Sequence, residues 1–261
     1  MIAIRVAKPE ERDALYGLWA EVFEEDLGWL DRFFATRYDP SHILVATVDG
    51  VLASALHALP TTYVQNNREY PCSYIVGAAT DPAYRRQGLM GRLLGAAQES
   101  STTPVTLFPA VRHFYEANGY TTTSSLLSFN LTNQESSSIA ALDPLPSWDF
   151  FDTLYRTCFA QEGFLVRDAI AWEFLITGYQ VVATEGAYAF IKDDIAIEAV
   201  ASDEQAAGAL LTLLSERAVT SVQTLSDSPL ARALAPKKGV PTPMGMSTDS
   251  RMGGVYIAEQ Y

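Results

Sequence analysis

The stretch from Thr80 to Leu94, TDPAYRRQGLMGRLL, holds the residue types and spacing best suited to chemistry. It follows an apolar run that predicts a buried strand, and its leucine-rich end predicts a helix. A helix N-terminus offers unpaired N–H groups and a positive dipole end, which attract a phosphate or pyrophosphate. Gly88 would let the backbone approach such an anion because it has no side chain. The stretch therefore predicts an anion site, and the alternative is an ordinary strand-to-helix connection with solvated arginines.

The distribution of charge along the chain supports the prediction of an anion site. Arg85, Arg86 and Arg92 fall within eight positions of a protein whose formal net charge is −13. Other phosphate loops fit poorly, because the stretch lacks the lysine of a P-loop and its glycine spacing, G-x-x-G-x-x-x-G, is not the dinucleotide pattern. The overall acidity argues against a nucleic-acid partner, which requires a basic face.

Composition indicates a folded protein with an ordinary core. The 261 residues are 48% hydrophobic and 19% charged, which is typical of globular domains. The sequence shows no run of about 20 apolar residues and no signal-peptide pattern at its start, so we expect a cytoplasmic protein with no membrane partner. Cys72 and Cys158 lie far apart without a nearby histidine pair, so we expect reduced thiols and no metal site.

Strand and helix patterns alternate around the arginine-rich stretch. Asp49-Gly50 between two apolar runs is a strong hairpin signal. The predicted order is strand Ile2–Val6, a helix from Pro9 to about Phe23, helix Gly28–Thr36, strands His42–Val48 and Val51–Leu59, strand Ser73–Thr80, helix Leu89–Gln98, strand Pro104–Phe108, a short helix His113–Ala117, and strand-like Thr121–Leu131.

The second half contains a weak echo of the first. Asn133–Ser147 is polar and proline-bearing, which predicts a linker. Helices are expected at Trp148–Ala160 and Arg167–Thr177, and strands within Gly178–Glu198. Ile195–Glu216 then repeats the order of apolar strand, Ser/Thr-Asp and leucine-rich helix seen around Thr80, but without the Arg-x-x-Gly of the first half. Because strand–helix–strand units are common, chance is the alternative to an internal repeat.

Two segments together resemble a known family. YIVGAATDPAYRRQGLMGRLL resembles motif A of the GNAT superfamily of N-acetyltransferases, with Arg85-Arg86-Gln87-Gly88 as its core. FPAVRHFYEANGY, which spans Phe108–Tyr120, resembles the second signature of that superfamily and stands at the expected distance. The resemblance covers roughly residues 1–132. It implies an α/β (α+β) fold with a mixed, mostly antiparallel twisted sheet flanked by helices.

A narrower likeness is to the branch that contains the enhanced intracellular survival acetyltransferases, in which a degenerate second acetyltransferase-like domain follows the first. It implies a cofactor domain at residues 1–132, a linker at 133–147 and a degenerate domain without a cofactor motif at 148–261. Met90 departs from the general motif, where Gly or Ala is commoner, but that branch accepts an apolar residue there. The sequence ends at Tyr261 without the branch's sterol-carrier-like domain, so the catalytic role of that domain's chain end is not carried over.

The resemblance also implies site residues, with acetyl-CoA as the cofactor. Backbone groups of Ala78, Ala79 and Thr80 would pair with the pantetheine arm. The loop and first helical turn would hold the pyrophosphate, and two residues after the next strand would border the thioester. The complete predicted cofactor set is Ala78, Ala79, Thr80, Arg85, Arg86, Gln87, Gly88, Leu89, Met90, Gly91, Ala110 and Val111.

Tyr115 is the predicted general acid, because a phenol near the thioester can protonate the leaving thiolate. The alternative is a tyrosine that only packs in the core. Trp29 and the acidic run Glu24, Glu25 and Asp26 are the predicted acceptor-binding residues, with a solvated face as the alternative. The three histidines show no triad spacing, and Phe33 and Phe34 suit either the core or the acceptor pocket.

The predicted activity is acetyl transfer from acetyl-CoA to a primary amine of a small cationic molecule, by direct attack in a ternary complex. A non-catalytic acyl-CoA-binding or regulatory module is the alternative from another class. A tandem aminoacyl-transferring relative is the third possibility, but its tRNA contact conflicts with the acidic charge. Homo-oligomerisation stays open.

Overall fold

The computed structural model describes residues 1–23, 27–131, 140–234 and 238–258. The helices are α1 (Arg12–Phe23), α2 (Leu27–Thr36), α3 (Leu89–Ser100), α4 (Arg112–Glu116), α5 (Trp148–Cys158), α6 (Ala169–Gly178), α7 (Glu204–Glu216) and α8 (Pro229–Ala233). The strands are β1 (Ile2–Val6), β2 (Ile43–Val48), β3 (Val51–Gln65), β4 (Arg68–Thr80), β5 (Val105–Leu107), β6 (Thr121–Thr122), β7 (Ser125–Asn130), β8 (Phe164–Leu165), β9 (Gln180–Thr184), β10 (Ala187–Lys192), β11 (Ile195–Ala201), β12 (Ser221–Thr224), β13 (Val240–Pro243) and β14 (Met246–Ser247). Within the described ranges, none of these helices has the length and apolar character needed to cross a bilayer.

The first sheet has the strand order β1-β2-β3-β4-β5-β14-β6, and β8 pairs with β3. Its neighbours are antiparallel except for β4 and β5, which are parallel and connected through α3. Leu15, Leu18 and Trp19 place α1 against one face together with α2, because an i, i+3, i+4 spacing puts apolar residues on one side of a helix. The leucines of α3 cover the opposite face. This arrangement of mostly antiparallel sheet between helices confirms the predicted fold class.

The second sheet repeats this scheme. Its order is β13-β7-β12-β11-β10-β9, and its one parallel pair among the described strands, β11 and β12, is connected through α7. Counted from β9, its pair directions run antiparallel, antiparallel, parallel, antiparallel, antiparallel. The first sheet shows the same succession when counted from β2. Helices α5 and α6 cover one face, and α7 and α8 the other.

The two halves exchange strands. β7 lies in the second sheet, between β12 and β13, although it follows β6 of the first sheet directly in sequence. In return β14 lies in the first sheet, between β5 and β6. The expected single strand Thr121–Leu131 is therefore two strands in different sheets. The division at 132 and 148 stays a prediction, and residues 133–139 of the expected linker lie outside the described residues.

Local sequence signals predicted most of the other helices and strands. The Asp49-Gly50 turn joins β2 to β3 with positive φ at both residues, as its type requires. Several boundaries differ from expectation. β3 continues to Gln65 rather than ending at Leu59, and β4 begins at Arg68 rather than Ser73, because the two strands pair up to a tight turn at Asn66-Asn67. A 3₁₀ turn at Pro9–Glu11 precedes α1. α6 begins after Arg167, because the carboxylate of Asp168 accepts a hydrogen bond from the Ala171 amide (2.8 Å) and caps the helix.

Gly77 allows β4 to bend at a bulge. Its φ of +61° is in the left-handed region, and the pairing register with β3 shifts around this point. A Cβ atom at this position would overlap the indole of Trp19, which lies directly over the strand. Only glycine meets both requirements, so the bend of β4 and the packing of α1 depend on one residue.

We expect Gly77→Ala to lower the free energy of unfolding by about 2–5 kcal/mol, because left-handed strain of about 1–2 kcal/mol adds to overpacking of about 1–3 kcal/mol. Gly50→Ala is the matched control: Gly50 also has a positive φ (+86°), but a Cβ there would meet nothing within 4 Å. It should show the strain alone. Urea unfolding measures both, and equal losses would mean that the Trp19 contact contributes nothing.

Candidate functional site

The central feature of the site is a gap between two parallel strands. β4 and β5 pair at three positions, the last being Ile75 with Leu107. β5 then ends, whereas β4 continues to Thr80 with β3 as its neighbouring strand among the described residues. The edge of β4 that faces away from β3 is thus open along Val76–Thr80. This edge contains Ala78, Ala79 and Thr80, the residues predicted to pair with an extended ligand.

The loop after β4 is exposed and has an unusual backbone. Arg86 has a φ of 64° and Gly88 a φ of 72°, so two of three successive residues are left-handed. A non-glycine residue pays about 1–2 kcal/mol for this conformation, and such strain concentrates at binding sites. The Nε of Arg85 donates to the carbonyl of Thr80 (3.2 Å), which ties the loop to the end of the open strand.

The loop leads directly into α3, and the first backbone amides of that helix can bind a ligand. Gly88 is the N-cap residue, and no side chain among the described residues caps the helix. A Cβ on Gly91 would lie 3.1 Å from Oδ1 of Asn118, so this turn of α3 has room for a small residue only. The side chain of Met90 packs partly against the core cluster of α3. The larger residue at 90 is therefore accommodated away from the helix end.

The segment after β5 leads to the predicted acid. Ala110 and Val111 are exposed, and α4 follows at once. Tyr115 is 9% exposed and packs in the core cluster beneath α3, with its ring 5.3 Å from Phe114 and 6.0 Å from Tyr120. Burial raises the pKa of Tyr115 above its ordinary value near 10. The phenol therefore keeps its proton throughout the neutral range.

A cleft of about 600 Å³, called here the outer cleft, opens at the bend of β4. Residues of the first half form one wall: Trp19, Phe23, Trp29, Val76 and Gly77. Residues 174, 178–180 and 191–193 of the second half form the other wall. The walls are joined by a Trp29–Phe174 ring contact at 5.5 Å and by a hydrogen bond from Arg32 to Oγ1 of Thr177 (2.7 Å). Both halves therefore build this cleft.

The structure brings some of the predicted acceptor residues to this cleft. Trp29 lines it, with its ring stacked on that of Trp19 at 6.4 Å. Phe33 and Phe34 are buried in the core instead. Glu24, Glu25 and Asp26 lie outside the described residues, so their prediction stays a prediction.

His57 lies behind the tryptophans, and its ring contacts that of Trp19 at 4.6 Å. Burial lowers the pKa of His57 to about 3, so the side chain is neutral at physiological pH. Neither ring nitrogen has a partner among the described residues.

Sequence reasoning missed a second cavity, of about 190 Å³, called here the inner cavity. It lies beneath Phe108, the residue after β5, and is lined by a buried ion pair. The guanidinium of Arg167 binds both oxygens of Glu198 (2.8 and 2.7 Å), which also accept hydrogen bonds from the hydroxyls of Tyr188 and Tyr256 (2.8 Å each). Burial raises the pKa of Glu198, but these partners outweigh it and leave the pKa below its ordinary value.

No spacing rule links Arg167 to Glu198, which lie 31 residues apart. The one signal available was the presence of single charged residues inside otherwise apolar stretches.

At the equivalent place in the second sheet, the protein's own side chains take two strand carbonyls beside a cavity of about 220 Å³. β11 and β12 pair only at Ile195–Ser221 and Ala196–Val222. Beyond these pairs, the Ala199 carbonyl accepts from Oγ1 of Thr224 (2.9 Å) and the Ala201 carbonyl from Sγ of Cys158 (3.6 Å). Burial raises the pKa of Cys158 to about 11, so the thiol keeps its proton for this bond. The carboxylate of Asp203 accepts from the Ala206 amide (2.8 Å) and occupies the end of α7.

Comparison with known families identifies the first half. Residues 3–123 match the family model described as the acetyltransferase (GNAT) domain. This range contains the open edge of β4, the arginine-rich loop, α3 and Tyr115. None of the curated proteins matches the chain.

Solved structures share the fold over nearly the whole chain at low identity. A GCN5-related N-acetyltransferase from Anabaena variabilis has 15% identity and a TM-score of 0.69, covering 97% of this chain and 74% of that one. A GCN5-related N-acetyltransferase from Kribbella flavida has 17% identity and a TM-score of 0.65, covering 95% and 71%. Eis1 from Mycobacterium abscessus has 18% identity and a TM-score of 0.63, covering 95% and 73%.

The buried ion pair gives a stability prediction. Glu198→Gln removes the carboxylate that pairs with the buried Arg167 and should cost about 3–5 kcal/mol of unfolding free energy at pH 7. Glu204→Gln is the control: its pair with Arg232 (3.6 Å) is exposed and contributes about 0–1 kcal/mol. Because the folded pKa of Glu198 is lowered, its stabilisation is complete above the ordinary glutamate value of about 4.3 and is lost as the pH falls below it. Urea unfolding at pH 7 and pH 3 should show that the difference in unfolding free energy between wild type and Glu198→Gln is smaller at pH 3. An equal difference at both pH values would contradict the stabilising role of the Glu198 carboxylate.

Proposed function

We propose that this chain, whose residues 3–123 form a GNAT acetyltransferase domain, transfers an acetyl group from acetyl-CoA to a primary amine of a small cationic molecule. The observation that carries the proposal is the open edge of β4 leading through a left-handed arginine loop into an uncapped helix end. An extended amide arm that ends in a pyrophosphate matches this series of features in order.

The residues present fit that cofactor. Ala78, Ala79 and Thr80 would pair with the pantetheine arm through their free strand edge. The amides at the start of α3 would hold the pyrophosphate, and the exposed Arg85 and Arg86 would add charge. The other predicted holders are Gln87, Gly88, Leu89, Met90 and Gly91, with Ala110 and Val111 at the thioester. Bound acetyl-CoA supplies an acetyl group activated as a thioester.

Tyr115 would hold the proton for the leaving thiol. Its raised pKa makes the hydroxyl a weaker acid, but it also guarantees that the proton is present near neutral pH. The amine would attack directly in a ternary complex, since the outer cleft and the open edge of β4 meet at Val76 and Gly77. The acidic charge of the chain, −13, favours a cationic acceptor.

We propose further that residues 148–261 form a degenerate GNAT-like domain without a cofactor site, with 133–147 as the linker after the cofactor domain at 1–132. The matching succession of strand pairs supports the likeness. The lack of a site is supported by Asp203, Thr224 and Cys158, which take up the groups that a cofactor would need. A cytoplasmic location is also proposed.

Thiol release from acetyl-CoA across a panel of primary amines, aminoglycosides and peptides tests the activity. Calorimetry in parallel gives the affinity and the number of CoA molecules bound, for which we expect one per chain. Tight binding with no thiol release from any amine would support the non-catalytic module instead. No binding of CoA would reject both.

The loop generates a binding prediction. Gly88→Val should weaken CoA binding by a few kcal/mol, because a β-branched residue resists the φ of +72° and places a side chain before the amides. Gly95→Val, on the same helix with nothing within 4 Å of its Cβ, is the matched control and should retain affinity. Arg86→Gly removes the guanidinium but suits the left-handed backbone, so it should cost only about 1–3 kcal/mol. Unchanged affinity in both loop variants would refute the assignment.

Catalysis rather than binding is tested at Tyr115. Tyr115→Phe removes the hydroxyl and keeps the ring, so stability and CoA affinity should hardly change while kcat falls about 10²-fold or more. The high-pH limb of the rate profile, expected above the ordinary tyrosine value of about 10, should flatten as well. Tyr120→Phe is the control, since Tyr120 is a buried neighbour on the same cluster. Full kcat in Tyr115→Phe, with chemistry limiting the rate, would make it a packing residue.

A further inference from the structure

Tyr179 lies at the boundary of the outer cleft and the inner cavity. Among the described residues, it is the one that lines both. Its neighbours are divided between the two spaces: Phe174 and Ile191 line the outer cleft, while Leu175 and Phe190 line the inner cavity. Tyr179 therefore stands in the wall between them.

The backbone of Tyr179 is fixed, so the position of this wall is built into the fold. Tyr179 is the C-cap residue of α6, and its N–H donates to the Leu175 carbonyl (3.2 Å). Its ring lies 6.2 Å from that of Phe190, which is 1% exposed on β10. A half-buried ring on a fixed backbone can act as a partition, and removing it leaves the surrounding strands in place.

The inner cavity suits an apolar group. Leu175, Phe190, Ile197 and Met244 contribute apolar surface. The charges that also line it, Arg167 and Glu198, already neutralise each other through two hydrogen bonds. A cationic head would have to compete with that pair, whereas a methylene chain would only replace water or empty space.

We propose that Tyr179 is a specificity-determining residue that sets the length of the acceptor: it ends the outer cleft and closes the inner cavity to the apolar part of longer amines. This inference rests on the proposed function for the role of the outer cleft. With the ring present, amines that fit the 600 Å³ cleft bind fully. Without it, the 190 Å³ beyond becomes a continuation of the same site.

The test uses unbranched primary alkylamines from propylamine to dodecylamine, titrated by calorimetry into the whole protein without CoA. Burial of one methylene contributes about 0.8 kcal/mol, which is about fourfold in affinity. In the wild type we expect affinity to rise with chain length and then level off. In Tyr179→Ala the rise should continue for about three further methylenes, giving about 60-fold tighter binding of the longest amines.

Two variants make the comparison specific. Tyr179→Phe keeps the ring and should level off where the wild type does. Adding Ile197→Phe to Tyr179→Ala enlarges a residue that lines the inner cavity and should restore the wild-type limit. Tyr179→Leu, which keeps more of the packing on Phe190, replaces Tyr179→Ala if thermal unfolding shows that the smaller residue is not folded at the assay temperature.

The outcomes separate this inference from the proposed function. The same length limit in wild type and Tyr179→Ala, or a gain that persists when Ile197→Phe is added, would overturn the role of Tyr179. A shift of the limit together with thiol release from acetyl-CoA supports both proposals. A shift with no thiol release in any variant supports the partition and rejects acetyl transfer to these amines.

Discussion

Two segments that cross between the sheets hold the rest of the structure in place. One connects β6 to β7 and the other β13 to β14, and they are hydrogen-bonded to each other from the Thr123 amide to Gly245 (2.9 Å) and from the Met244 amide to Ser124 (2.8 Å). Arg112 fastens the crossing, because its guanidinium donates to Oγ1 of Thr122 and to the carbonyls of Pro243 and Met244. Arg112 is also the first residue of α4, the helix that carries Tyr115. The position of the candidate acid therefore depends on the joining of the two halves.

The crossing also explains why both cavities lie between the halves. Each sheet completes itself with a strand from the other half of the chain, and the inner cavity lies where Phe108, after β5, meets Gln223 of β12. The wall of the outer cleft is fixed by Gly77, which lets Trp19 rest on β4, and by the contact of Trp29 with Phe174. A substrate bound there would touch both halves, although the features that suit the cofactor belong to the first alone.

The sequence predicted an element correctly where a few neighbouring residues determine it. Asp49-Gly50 forces one kind of turn, and Gly88 before a leucine-rich run marks a helix start, so the hairpin and α3 followed from a few neighbouring residues. Thr121–Leu131 has uniform strand composition, and nothing within it indicates that its two ends pair in different sheets. The two-residue strand β14 and the Arg167–Glu198 pair likewise depend on contacts between distant parts of the chain. The arginine-rich loop and its helix could therefore be predicted, whereas the walls of the outer cleft could not.

The same strand–helix–strand unit occurs twice with opposite outcomes, and a few side chains account for the difference. After β4 the cap position holds Gly88, which has no group to offer the first amides of α3, and the strand edge beyond Ile75 lacks a neighbouring strand, with Arg85 donating to the Thr80 carbonyl at its end. After β11 the cap position holds Asp203, whose carboxylate takes an amide of α7, and Thr224 and Cys158 take the strand carbonyls. A carboxylate at a helix N-terminus satisfies the dipole and repels a second anion. The Asp203 cap thus stabilises α7 in its own half, while the first half keeps an uncapped helix end and a strained Arg86 where an anionic ligand would bind.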